Sequence, residues 1–291
     1  MHWLTLLLPT LYALFLWWFT TGCIMAVYGR SPRTVRLGFV GATLVMLAAV
    51  GGLILTRQMT HLSAVYLAFT CGTVLWGWHM ASYYLGFVTG LPVQSPPGGE
   101  HEFMPKRSGK LAHRFLRALH ASLYHELLVI GFALMMVMLT WSQTNQWGLW
   151  SFLTLWAMHV SAKLNVFFGV RNFRIEFLPT HLHSLGALLS KKPVNLLFPF
   201  SVGTASTVVF CLFTRALAPE TAPTQVAGLV LVGTMIALGV FEHWLLVIPL
   251  PATIWGWGIR PLPQSSMPDL DAPRRRQSVP IRAMPEQMSE S

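Results

Sequence analysis

Seven apolar stretches, each long enough as helix to cross a hydrocarbon core of roughly 30 Å, decide what this chain can fold into. They run from Trp3 to Val27, Leu37 to Leu55, Leu62 to Gly90, Leu119 to Trp141, Trp147 to Val170, Val194 to Leu217 and Val226 to Leu250. A backbone in lipid must pair every amide internally, which leaves helices or a closed barrel. Alternation at period two is absent, so the expectation is an all-α, polytopic transmembrane helical bundle of about seven helices. Composition agrees: 54% of residues are hydrophobic and 10% charged, against about a quarter charged in soluble chains. The first stretch has no basic n-region and no small-x-small cleavage site before Arg30, so it reads as a retained helix. The helical domain covers residues 1–260, and 261–291, rich in Pro, Ser, Arg and Met, is expected to be a disordered cytoplasmic tail.

Basic residues set the orientation, because Lys and Arg are retained on the cytoplasmic side. Seventeen of the 20 follow the first, third, fifth and seventh stretches, among them Arg30, Arg33, Arg36, Arg114, Arg117, Lys191, Lys192 and Arg274 to Arg276. The other side has Arg57 and Arg215, and Lys163 lies within a span. The order predicts N-out, C-in. Topology and contact with anionic lipid account for the net charge of +10, with no nucleic acid required. Cys23, Cys71 and Cys211 all fall in apolar stretches without CxxC or CxxCH spacing and read as packing residues.

Two cytoplasmic segments are longer than simple connectors. Residues 91–118 open with a Pro/Gly-rich run and become basic and amphipathic from Lys106 to Arg117, suited to a headgroup surface. Residues 171–193 contain Phe177 to Leu182, too apolar for a free loop and expected to pack on the membrane face of the bundle. No internal repeat occurs, which argues against an inverted-repeat transporter.

Chemistry is confined to rare ionisable groups. No acid precedes Glu100, and Glu126 and Glu242 lie inside spans, each beside a histidine, His125 and His243. At 1.5 Å per residue, His79 is roughly 16 Å, His125 roughly 9 Å, Lys163 about 10 Å and Glu242 about 12 Å from the cytoplasmic ends of their helices. Asn165 falls at the same level, and the loop with Glu176, His181 and His183 emerges below it. Two readings stay open. One is a buried polar pocket facing the cytoplasm that holds a metal, a tetrapyrrole or a lipid-soluble intermediate. The other is an interhelical network in which Lys163 neutralises a glutamate and the histidines bond carbonyls. A metal would draw on His125, Glu126, His181, Glu242 and His243, although adjacent Glu and His are turned about 100° apart on a helix. Trp76 and Trp78 could flank a pigment with His79 as its axial ligand. Most other tryptophans mark an interfacial belt. Nucleotide, phosphate and oxyanion motifs are absent.

Several blocks, from about residue 5 to 260, resemble the PuhE-type photosynthetic complex assembly proteins of purple and related phototrophic bacteria. They are Trp76-Gly77-Trp78-His79, Tyr124-His125-Glu126-Leu127, Asn145-Gln146-Trp147-Gly148-Leu149-Trp150, Ser161-Ala162-Lys163-Leu164-Asn165, Phe168-Gly169-Val170, Glu176-Phe177-Leu178-Pro179-Thr180-His181-Leu182, Asn195-Leu196-Leu197-Phe198-Pro199, Glu242-His243-Trp244 and Pro249-Leu250-Pro251. His120, His159 and His183 fall outside that pattern, and the connection after Gly90 departs from it. The resemblance implies a polytopic protein of the bacterial inner (cytoplasmic or intracytoplasmic) membrane, encoded with the reaction-centre H subunit gene and involved in reaction-centre and core-antenna assembly. It implies no catalytic residue. The leading expectation is therefore a non-enzymatic assembly factor that handles bacteriochlorophyll, a late precursor or a helix of an unassembled subunit. Its partners would be membrane lipid and either reaction-centre and light-harvesting subunits or pigment-biosynthesis enzymes. The alternative is a membrane metalloenzyme of tetrapyrrole or lipid metabolism using the same His/Glu residues with iron.

Overall fold

The apolar stretches satisfy their backbones as helices in the computed structural model, which describes residues 2–90, 111–172, 183–186 and 188–249. In order, the helices are α1 (His2–Val27), α2 (Pro32–Thr56), α3 (Leu62–Tyr84), α4 (Leu111–His120), α5 (Leu123–Thr140), α6 (Trp147–Phe168), α7 (His183–Gly186), α8 (Leu197–Ala216) and α9 (Pro223–Val247). No strand is present among the described residues, apart from an isolated bridge between Val170 and Lys191. The fold is an all-α helical bundle. The expected tail from residue 261, the Pro/Gly-rich run and the apolar loop Phe177 to Leu182 lie outside the described residues.

Local chemistry sets the helix starts. Ser31 accepts from the Thr34 amide ahead of Pro32 at the first turn of α2, and His61 Nδ1 accepts from the Ala64 amide at α3. Asn195 Oδ1 accepts from the amides of Leu197 and Phe198 to start α8, while its Nδ2 donates to the carbonyls of Asn165 and Gly169. One side chain thus ties the end of α6 to the beginning of α8.

Side-chain pairings give the helix directions. Tyr12 meets Thr70, and Thr20 approaches Gly77, so α1 and α3 run in parallel. Gly52 packs on Cys71 and Thr43 accepts from the Trp78 indole, so α2 is antiparallel to α3. Tyr83 meets His125, and His79 meets Phe132, which makes α5 antiparallel as well. Thr73 bonds Ser151, and Lys163 lies over Tyr83, so α6 runs with α3. Trp147 meets Gly228 and Ser161 meets His243, so α9 runs with α6; Phe213 on Gly233 and Phe198 on Trp244 set α8 against α9. The long helices alternate along the chain. Arg30, Arg33, Arg36, Arg114, Arg117, Arg171, Lys191 and Lys192 consequently gather at one end, hereafter the basic end, and Arg57 and Arg215 lie at the other.

Five helices, α1, α2, α5, α8 and α9, are long and apolar enough to cross a membrane. They are the first, second, fourth, sixth and seventh of the seven stretches, and the remaining two, α3 and α6, have 23 and 22 residues, or about 33 Å of rise each. They carry more polar groups because they sit at the centre: α3 packs against α1, α2, α5, α6 and α9. The peripheral helices turn Leu8, Leu11 and Phe15, Leu44 and Leu47, Leu134 and Met138, and Phe200 and Phe210 outward. Water would not tolerate so continuous an apolar surface, and lipid does.

Two boundaries differ from the sequence expectation. The third helix ends at Tyr84 instead of Gly90, and the run expected from Leu119 to Trp141 is divided at Ala121 and Ser122 into α4 and α5. The chain leaving α3 crosses this break. His125 donates its backbone amide to the Thr89 carbonyl at 2.8 Å, and a Cβ on Gly90 would lie 2.4 Å from the His120 carbonyl oxygen. The crossing uses an amide at the start of α5 that has no intrahelical partner. α4 is amphipathic, and its Arg114 donates to the Leu188 carbonyl and to Ser190 Oγ, fastening it near the start of α8.

Candidate functional site

His79 from α3, His125 from α5 and His159 from α6 converge inside the bundle toward the basic end. The ring centroids of His79 and His125 are 6.3 Å apart, and those of His125 and His159 6.4 Å. Their surroundings are aromatic. Phe132 stands edge-on to His79 at 4.6 Å, Tyr83 leans on His125 at 4.6 Å, and Trp76 meets His159 at 5.4 Å. His79 and His125 are both 0% exposed. Neither ring nitrogen of either one has a hydrogen-bond partner, and Nε2 of His159 has none.

An ion pair adjoins this cluster. Lys163, one helical turn beyond His159 on the same face of α6, pairs with Glu126 and donates to Ser122 Oγ at 3.3 Å. Its ammonium also lies 5.6 Å from the Tyr83 ring centroid, within cation–π range. His125 and Glu126 point different ways, as neighbours on a helix must: the imidazole faces inward and the carboxylate reaches Lys163.

The other expected residues form separate arrangements. His243 is 1% exposed and satisfied at both nitrogens: Nδ1 donates to the Gly239 carbonyl at 2.7 Å, and Nε2 accepts from Ser161 Oγ at 2.9 Å. Asn165 donates to the Ser161 carbonyl and to Ser201 Oγ, which links α6 to α8. Glu242 takes a hydrogen bond from the Trp17 indole of α1 and adjoins Tyr84. Glu176 and His181 lie outside the described residues. The seven candidates among the described residues therefore do not make one pocket. His79, His125, Glu126 and Lys163 come together, His243 and Asn165 brace α6, and Glu242 turns toward α1. The metal set expected from sequence is divided in the same way, and among the described residues no three His, Cys, Asp or Glu side chains are grouped to hold a metal ion.

His159 was not a sequence candidate. The signal that could have found it is its spacing from Lys163: residues four apart share a helix face, so a face already carrying an intramembrane cation carries His159 too.

The family model for a protein of unknown function, DUF3623, matches residues 3–266. An uncharacterized 30.4 kDa protein in the puhA 5′ region of Rhodobacter capsulatus is 33% identical over 257 residues, covering 86% of this chain and 89% of that protein. No solved structure matches the chain.

Proposed function

The chain belongs to the DUF3623 family, and from that premise we propose that it is an assembly factor for the bacterial photosynthetic reaction centre and core antenna. The relative from the puhA 5′ region fits a protein of a photosynthesis gene cluster, in line with the resemblance drawn from the motif blocks. In this reading all seven long helices cross the inner membrane, with the basic end in the cytoplasm and the N-terminus outside. Alternating helix directions and the grouping of basic residues support it. Alkaline phosphatase fused after residue 143 should be active, and an inactive fusion on a normally abundant protein would reverse the orientation.

The observation that carries the functional reading is the set of unpartnered imidazole nitrogens on His79, His125 and His159. A buried polar atom without a partner costs about 1–3 kcal/mol, and such atoms in a native protein call for an explanation. Imidazole is the side chain that ligates the central metal of a tetrapyrrole or bonds its carbonyls, so the donor set fits bacteriochlorophyll or a late precursor. The cluster is enclosed, and α5 packs less extensively than α3 or α6. Access for a macrocycle, or for a helix of an unassembled subunit, then requires α5 to part from α3. The protein itself would hold the cargo, exclude water with the Trp76, Trp78 and Phe132 rings, and release it when the complex accepts it.

Purification in mild detergent from phototrophically induced cells, followed by an absorption spectrum and metal analysis, tests this. Bound pigment that is lost on His79→Leu and His125→Leu, with protein abundance unchanged, is the expected result. Stoichiometric iron without pigment would replace this reading by the metalloenzyme. Absence of both, with normal complex assembly in the two variants, would overturn a site at these histidines.

A further inference from the structure

α8 lies along α9 but stands away from α6, and the space between these three helices is a groove of about 420 Å³, open along one side. It exists because small residues face one another across it, Ala157 and Ser161 on α6 and Ser201 and Ala205 on α8. On α8 it extends from Leu197 to Val208, a rise of about 16 Å. A helix of that length, roughly 10 Å across, would not fit such a volume. A hydrocarbon chain would.

Polar groups along the groove are unevenly placed. Ser161 and Ser201 lie toward the basic end, Thr204 stands partway along, and the far end has Thr154. Many helical threonines in the bundle hide their hydroxyls by donating to the carbonyl four residues back, as Thr10, Thr43, Thr70 and Thr214 do, although Thr234 does not. Among the described residues Thr204 has no such partner, and Ser201, which accepts from Asn165, does not direct its own proton to any group. In a hydrocarbon surrounding, hydroxyls without acceptors are costly. Beyond this end lie two cations. Lys192 packs against Gly169 and Lys191 pairs with Val170, so both lie just past the end of α6 on the chain that leads into α8, with their side chains exposed.

The geometry points to an anionic phospholipid seated here, with one acyl chain in the groove, its ester carbonyl accepting from Ser201 and Thr204, and its phosphate between Lys191 and Lys192. The order of cation, hydroxyl and apolar wall matches the order of phosphate, ester and chain in such a lipid. This site is independent of the histidine cluster, which lies on the other side of α6.

The test uses the full-length protein in nanodiscs containing phosphatidylglycerol or phosphatidylcholine with a diazirine midway along one acyl chain, read by peptide mass spectrometry. Wild-type protein should be labelled preferentially by phosphatidylglycerol on peptides spanning residues 154–161 and 197–208. Ala157→Phe, at an exposed position facing the groove, should reduce that labelling about tenfold or more while leaving α1 and α2 unchanged, because it displaces several buried methylenes. The double variant Lys191→Gln, Lys192→Gln changes only exposed side chains; it should abolish the preference for phosphatidylglycerol and retain the phosphatidylcholine signal. Equal labelling by both lipids that neither variant alters would show ordinary annular contact and overturn the site. Retention of an isoprenoid or a pigment in the groove, found by mass in the unlabelled protein, would overturn the choice of occupant.

Discussion

Near Gly72 and Gly148 the α3 and α6 backbones touch, and the buried polar side chains around them have partners. Thr73 bonds Ser151 at 2.8 Å, and Asn145 donates to the carbonyls of Thr56 and Ala64. About two turns further along the same two helices, His79 and His159 face His125 with ring nitrogens that bond nothing. Both regions are buried, and both belong to the central pair of helices. The difference lies in what their polar groups are for. In the first they complete the contact, so the contact is the reason they are there. In the second they add desolvation cost without a bond, which selection for stability alone would remove by substituting apolar residues.

The largest effect expected is at the satisfied region. A Cβ on Gly72 would lie 2.1 Å from the Gly148 carbonyl oxygen, and the obstruction is backbone that no rotamer change can relieve. Gly72→Val should therefore destabilise by more than about 3 kcal/mol and remove the protein from the membrane fraction, as measured by immunoblot. Normal accumulation would mean that the two helices are not held together there. Asn145→Leu comes next, at about 2–4 kcal/mol, because it abandons two buried carbonyls at once. Thermal unfolding in detergent reads that loss directly.

Intermediate in expected effect, and beyond the histidines toward the basic end, is the Lys163–Glu126 pair. The Lys163 side chain is 33% exposed and the Glu126 side chain 16%, so the pair is neither fully buried nor a surface bridge. Lys163→Met should cost about 1–3 kcal/mol by leaving the carboxylate uncompensated, and adding Glu126→Gln should restore most of the loss. Failure of the second substitution to rescue would show that Lys163 matters through Ser122 and Tyr83 instead.

The seven long helices and their basic end were legible because both are written as composition: apolar length and the placement of Arg and Lys. What composition does not record is where one run is cut by a contact from elsewhere. The residues from Leu119 to Trp141 carry no Pro or Gly at Ala121 and Ser122 to mark a break, and it appears only where Thr89 and Gly90 cross it. The candidate site was partly legible for a similar reason. Depth along a helix can be counted from sequence, and it brought His79, His125 and Lys163 to one level; direction around the helix depends on which neighbour the face meets. Glu242 shares that level but turns toward Trp17 of α1, while His243, one residue on, turns toward Ser161. His159 lies at the depth counted for His79, and only its partners in space mark it.

The smallest stability effect expected is the most informative. His79→Leu keeps approximate volume against Phe132 and Trp78 and removes two buried nitrogens that bond nothing, so stability should stay the same or rise by about 1 kcal/mol. His243→Leu is the control, since its imidazole bridges the Gly239 carbonyl and Ser161; it should lose about 2 kcal/mol. A histidine whose removal leaves the fold intact but lowers reaction-centre and core-antenna levels in induced cells would be kept for what it binds. Should His79→Leu instead destabilise as much as His243→Leu, the imidazole has a structural partner, and the contrast between the two regions fails. If His79→Leu and His125→Leu leave both stability and complex levels unchanged, the cluster has neither role, and the unpartnered nitrogens are tolerated at no cost that selection detects.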